Sequence, residues 1–106
     1  MGKTNCIIKR PDEPVGHMTS ISCTLKNLQN HVEGRIEAVT LREGLVVICN
    51  EEGLILGLPY NCTLNASGFY GDGISFFGTI IVIGASGEEF TDIPITFKEY
   101  KEMLYR

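Results

Sequence analysis

Apolar residues fall along this chain in two periods, and the switches between them mark out the elements. Cys6-Ile7-Ile8-Lys9 is a short β-type run, ended by Arg10-Pro11-Asp12-Glu13-Pro14, where two prolines favour a turn. His17 to Ser22 alternates loosely and is expected to return as the hairpin partner. Leu25, Leu28 and Val32 then stand at i, i+3 and i+7, the stripe of a helix that Ser22 or Thr24 can cap and Gly34 can stop.

The rest reads mainly as strands. Arg35 to Leu41 sets Ile36, Val39 and Leu41 against the polar Glu37 and Thr40. Leu45-Val46-Val47-Ile48-Cys49 is almost continuously apolar, the pattern of a strand covered on both faces. Asn50-Glu51-Glu52-Gly53 predicts a tight turn with Gly53 at positive φ, returning through Leu54-Ile55-Leu56 as a strand. Gly57-Leu58-Pro59-Tyr60-Asn61 predicts a rigid irregular loop, and Asn65 to Gly73 an exposed loop tipped by Phe69 and Tyr70. Ile74 to Gly84 reads as one strand, Ala85 to Glu89 as a turn, and Thr96 as the cap of a last helix bearing Phe97, Tyr100, Met103 and Leu104. Strand, strand, helix, several strands, helix predicts one compact α+β domain over residues 1–106, with a mostly antiparallel sheet and two short helices.

Composition narrows the class. A chain of 106 residues, 43% hydrophobic and 21% charged, can bury a core without covalent staples. No apolar run approaches the roughly 20 residues of a membrane span, and the first residues lack a signal peptide's apolar region, so a cytoplasmic protein with no membrane partner is expected. Cys6, Cys23, Cys49 and Cys62 are scattered without a paired spacing, which favours small core thiols over a zinc site; no metal or cofactor is expected. Charge is uneven. Between Arg42 and Lys98 there is no Lys or Arg, while Glu43, Glu51, Glu52, Asp72, Glu88, Glu89 and Asp92 all fall there. Duplex nucleic acid, which binds through a basic stripe, is therefore an unsuitable partner.

The segment Ile36 to Asn61 carries a family resemblance. Ile36-Glu37-x-Val39, Gly44-Leu45-Val46, Cys49-Asn50-Glu51-Glu52-Gly53 and Gly57-Leu58-Pro59-x-Asn61 resemble the domain of unknown function 3846 family, and Leu28-Gln29, Gly78-Thr79 and Gly84 extend the likeness over most of the chain. The resemblance implies a phage, prophage or mobile-element protein of no settled biochemical activity. Relatives often follow the equivalent of Asn61 with a basic residue, where this chain has Cys62.

Enzymes of the familiar kinds need a nucleophile with a base, paired carboxylates or a metal cluster. Only His17 and His31 supply imidazoles, and the Glu pairs 51–52 and 88–89 are neighbours on turns that point apart, so no enzyme is expected. Asn61 has two readings. Its amide closes the loop on neighbouring backbone, or it presents a donor–acceptor pair to a ligand or partner. Asn50 carries the same two. Tyr60, Phe69 and Tyr70 are candidates to stack on a planar ligand or to form oligomer contacts, and Arg42 or Arg35 is the candidate counter-charge.

Two modes of action by binding are expected, both compatible with a phage-type accessory protein acting against host defence. In one, a homo-oligomer sequesters a small cyclic nucleotide among Asn61, Tyr60, Asn50, Arg42, Tyr70 and Phe69. In the other, the acidic half docks on a basic host protein as an inhibitor would.

Overall fold

The computed structural model describes residues 2–65 and 73–105. β1 (Thr4–Lys9) and β2 (His17–Ile21) form the first hairpin, α1 (Leu25–Val32) follows, and β3 (Ile36–Arg42) with β4 (Leu45–Asn50) forms the second. β5 (Tyr60–Leu64), β6 (Ile74–Phe77), β7 (Ile80–Ser86), β8 (Glu89–Thr91) and α2 (Phe97–Met103) complete the chain. The main sheet runs β2-β1-β7-β4-β3 with β8 added to β7, and β5-β6 is a separate two-stranded sheet. Every strand pairing among the described residues is antiparallel. The expected α+β domain with a mostly antiparallel sheet and two short helices is the observed one.

Strand alternation builds two core layers. Cys6, Ile8, Val46, Ile48, Ile81 and Ile83 face one way and pack against Leu28 and Val32 of α1. Ile7, Val47, Ile80 and Val82 face the other, against Cys62, Leu64 and Phe76 of the small sheet and Tyr100 and Met103 of α2. Both central strands are thus sealed on two sides, as the continuous apolar run of β4 implies.

The helix caps follow elementary capping chemistry. Thr24, rather than Ser22, caps α1 by accepting from Asn27 N–H, and Glu33 takes the left-handed turn at its end in place of Gly34. Thr96 and Glu99 form a reciprocal capping box on α2.

Four local expectations are corrected. Residues 51–57 form a turn throughout, with Leu54, Ile55 and Leu56 pointing outward instead of pairing as a strand. Gly53 does not adopt positive φ; it lies so close to Phe77 that a Cβ would sit 2.8 Å from the Phe77 carbonyl oxygen. The run Ile74–Gly84 is two strands in different sheets, broken at Gly78, whose φ of 84° no side chain adopts readily. The segment from Ala85 to Glu89 is mostly strand, with the reversal at Gly87 between β7 and β8. The expected loop tips Phe69 and Tyr70 lie outside the described residues.

Candidate functional site

The structure brings the family-like Asn50, the Gly57-to-Asn61 segment and Gly78 to one end of the main sheet, and hydrogen bonds explain why. Asn61 is the extra residue of a bulge in β5, where Tyr60 faces Phe77 and Cys62 faces Phe76. A bulge turns its extra side chain out of the alternating pattern. Here it turns inward. Asn61 Nδ2 donates to the carbonyls of Lys9 at 2.7 Å and Gly78 at 2.8 Å, and Oδ1 accepts from Lys9 Nζ at 2.8 Å. Gly78 N–H also donates to the Pro59 carbonyl at 2.7 Å, while Leu58 packs on the face where Gly78 lacks a Cβ. The Gly57-to-Asn61 segment and Gly78 therefore lock β1, β5 and β7 together. The Asn61 amide is engaged on backbone, but backbone 52 and 17 residues away in sequence, so it joins strands of the fold rather than closing its own loop.

Asn50 is used in the same way. Its Nδ2 donates to the Val32 carbonyl at 3.1 Å and the Glu33 carbonyl at 3.3 Å, two orphan acceptors at the end of α1. Its Oδ1 accepts from Glu52 N–H at 2.7 Å and fixes the following turn. Both amides are buried and internally engaged.

The remaining candidates do not join them. Arg42 pairs with Leu45, which pairs with Gly84, whereas Lys9 beside Asn61 pairs with Ile80. Four residues of β7 separate the two levels, about 13 Å. Arg42 is thus at the opposite end of the sheet, near Glu99. Tyr60 is exposed; its hydroxyl meets Thr63 Oγ1 at 2.6 Å and its ring meets Phe77 edge-on. The acidic stretch is also divided. Glu51 and Glu52 follow Asn50 at one end, while Glu43 and Glu88 sit on the turns at the other, with Glu89 opening β8 beside them.

Sequence reasoning missed Lys9. It is only 3% exposed, yet no carboxylate pairs with it among the described residues. Nζ is held by oxygens of neutral groups: Asn61 Oδ1 at 2.8 Å and the carbonyls of Asn61 and Arg10 at 3.4 Å. The signal was strand parity. Lys9 falls on the same face of β1 as the buried Ile7, and the Pro11–Gly16 turn closes over it. Gly16 lies so near that a Cβ there would meet Ile8 O at 2.7 Å and Lys9 Cβ at 2.9 Å.

Lys9 and Asn61 line a cavity of about 270 Å³ together with Pro14, Val15, Tyr60, Cys62, Leu104 and Tyr105. Burial pushes the Cys62 thiol up to about 11, although the charge of Lys9 pulls the other way, so at neutral pH the wall is a thiol and no thiolate nucleophile. The buried Tyr100 hydroxyl donates to the Val15 carbonyl at 2.6 Å and braces the same wall. A second cavity of about 360 Å³ lies between the end of α1 and the Leu58-Pro59 loop, lined also by Arg10, Asp12 and Thr79.

The other chemistry-bearing groups are dispersed. Cys6 is in the core layer under α1 with Cys23 packed against it, and Cys49 and Cys62 are in the other, so the sheet separates the thiols two and two. His17 Nδ1 lies 2.9 Å from Glu13 Oε2 on the first hairpin, and His31 stands on α1. No group of three or more potential metal ligands occurs among the described residues, and none of their helices is long and apolar enough to cross a membrane.

Comparison with curated proteins and with solved structures yields no match. A family model described as "Domain of unknown function (DUF3846)" matches residues 4–105. That span includes every strand and both helices of the described residues, along with the Asn50 and Asn61 locks that hold them, and the chain belongs to this family.

Proposed function

We propose that this chain is an accessory protein of the phage or mobile-element type that acts by docking on a host protein. The observation that carries the reading is the turn at residues 51–57. Leu54, Ile55 and Leu56 are 70%, 84% and 58% exposed, three consecutive large apolar side chains in water. The turn is braced by backbone bonds from Leu56 N–H to Glu52 O at 2.8 Å, Gly57 N–H to Leu54 O at 3.1 Å and Leu58 N–H to Gly53 O at 2.9 Å. Asn50 fixes its start. A preorganised apolar knob loses little entropy on binding, and contiguous exposed apolar surface is a mark of interaction sites.

Charge supplies the partner's chemistry. The turn carries Glu51 and Glu52, both exposed, and no Lys or Arg. The complementary surface is an apolar groove rimmed by Lys or Arg, as on a nucleic-acid-processing or defence protein. The competing mode, a homo-oligomer sequestering a small cyclic nucleotide, draws less support: the Asn61 and Asn50 amides are engaged internally and Arg42 lies at the far end of the sheet, while Arg35, the alternative counter-charge, lies at the Asn50 end.

The test is a photo-crosslinker placed at Ile55, with Glu88 on the opposite end as control, followed by purification of the protein captured only through residue 55. Purified, that partner should bind the wild type, weaken steeply with added salt, and bind the Leu54→Ser/Ile55→Ser variant at least tenfold less. Equal capture at both positions, or binding indifferent to the variant, would exclude this docking mode.

A further inference from the structure

The cavity beside Lys9 has a buried charge in its wall that no opposite charge balances among the described residues. A buried cation is costly unless it is paired or fully hydrogen-bonded. Lys9 Nζ has three N–H donors and one short contact, to Asn61 Oδ1 at 2.8 Å. The other two acceptors, the Asn61 and Arg10 carbonyls, lie at 3.4 Å, outside the ordinary 2.7–3.2 Å range. All three are neutral, and no carboxylate among the described residues balances the charge. An apolar residue of similar length would remove that cost but leave the buried Asn61 Oδ1 without its donor, so the lysine serves the lock and still brings an unbalanced charge to the cavity wall.

The walls complement a planar anion. Tyr60 and Tyr105 line the cavity and are both more than half exposed. Tyr105 is held in place by its N–H bond to the Thr63 carbonyl at 2.9 Å, and Tyr60 by its hydroxyl bond to Thr63 Oγ1. Both anchors are on the strand that carries Asn61. Cys62, Val15, Pro14 and Leu104 give the remaining surface an uncharged lining. At about 270 Å³ the space lies just under the roughly 300 Å³ at which drug-sized pockets begin, so it takes a planar ring system or an anionic group, with the rest of a larger ligand such as a mononucleotide left at its open side.

We propose that this cavity is a binding site for a small planar-ring anion, with the Lys9 ammonium as the counter-charge and Tyr60 and Tyr105 as the stacking surfaces. Two sources share that chemistry, a mononucleotide with its phosphate and an aromatic carboxylate. On binding, the anion replaces the two long carbonyl contacts of Nζ, and the short bond to Asn61 stays. The site uses none of the residues of the 51–57 turn, so it stands whether or not that turn docks on a protein.

The test is calorimetric titration of the full chain with AMP, adenosine 3′,5′-cyclic monophosphate, benzoate, inorganic phosphate and uncharged adenosine. At least one ring anion should bind, and the AMP and benzoate arms tell phosphate from carboxylate. Tyr105→Ala, an exposed substitution that leaves the fold intact, should weaken that ligand about tenfold, and folded Lys9→Met should weaken it at least tenfold. Should Lys9→Met fail to fold, amide shifts on the wild type decide: Val15, Asn61, Cys62 and Tyr105 should move, and Glu33 and Thr79 beside the other cavity should not. The proposal is overturned if no ring anion binds, if adenosine binds as tightly as AMP, if phosphate alone binds as tightly as any ring anion, or if the Tyr105 variant binds unchanged. Shifts confined to residues outside the Lys9 cavity would equally overturn it.

Discussion

Asn61 and Lys9 form one unit, so neither can be judged alone. Truncating Asn61 leaves two carbonyls without their donor and removes the one short contact of a buried cation. Each unsatisfied buried group costs about 1–3 kcal/mol, more where a charge is involved. Asn61→Ala should therefore destabilise the protein by about 3 kcal/mol or more, measured by urea unfolding. Lys9→Met removes the charge that Asn61 serves, so in a double-mutant cycle the two losses should fall short of additive by about 1–3 kcal/mol. Additive losses would mean that the contact between them contributes nothing to stability. The pair also shows how far a residue's role can be read from the chain. Asn61 stands out because it follows a rigid Leu-Pro element, but only the bulge, which periodicity does not reveal, decides that its amide points inward. Lys9 was legible in principle from its parity with Ile7, yet its charge argues for the surface unless the covering turn is known.

Elements with a clean period were the legible ones. β1, β4 and both helices lie where alternation, the continuous apolar run and the i, i+3, i+7 stripe set them. The errors cluster where two physical readings share one pattern. Gly78 within an apolar run suits either a close approach inside one strand or a break between two, and its contact with Leu58, far away in sequence, decides for the break. β5 was hidden because Asn61 and Thr63 make it look like loop, although tertiary partners satisfy both. Leu54-Ile55-Leu56 looks like a strand by hydropathy, and it is exposed because backbone bonds close the turn first. The capping of α2 gives an element-scale prediction. Thr96→Ala removes the acceptor for Glu99 N–H and should cost about 1 kcal/mol in thermal or urea unfolding. The hydrogen bond from Thr96 N–H holds the Glu99 carboxyl below its ordinary value. That contribution is present above the unfolded carboxyl's pKa and is lost as pH falls through the lower folded one. Glu99→Gln should therefore flatten the acid end of the stability profile, and an unchanged profile would mean the box adds nothing there.

At the scale of the whole molecule, a sheet with a separate core layer on each face buries thiols on both sides. Cys6 lies under α1, and Cys49 and Cys62 lie beneath the small sheet and α2. Burial pushes each thiol from about 9 up to about 11. Neighbouring groups modify this: Cys23 and Glu37 add to the rise at Cys6 and Cys49, and Lys9 opposes it at Cys62. Burial raises the Tyr100 hydroxyl in the same sense. The sign of the pH effect follows directly. Between about pH 9 and 11 the folded protein keeps protons that the unfolded chain releases, so stability is full below pH 9 and falls as pH rises through that window. Urea unfolding under reducing conditions should show a falling midpoint from pH 9 upward. Cys6→Ser and Cys62→Ser should each reduce the slope, and because they lie on opposite faces of the sheet their effects on it should add. A stability that is flat from pH 8 to 11 would mean that water reaches these layers and that the two faces are not sealed. A slope removed wholly by one substitution would instead place the alkaline weakness in a single layer, leaving the other to unfold independently of pH.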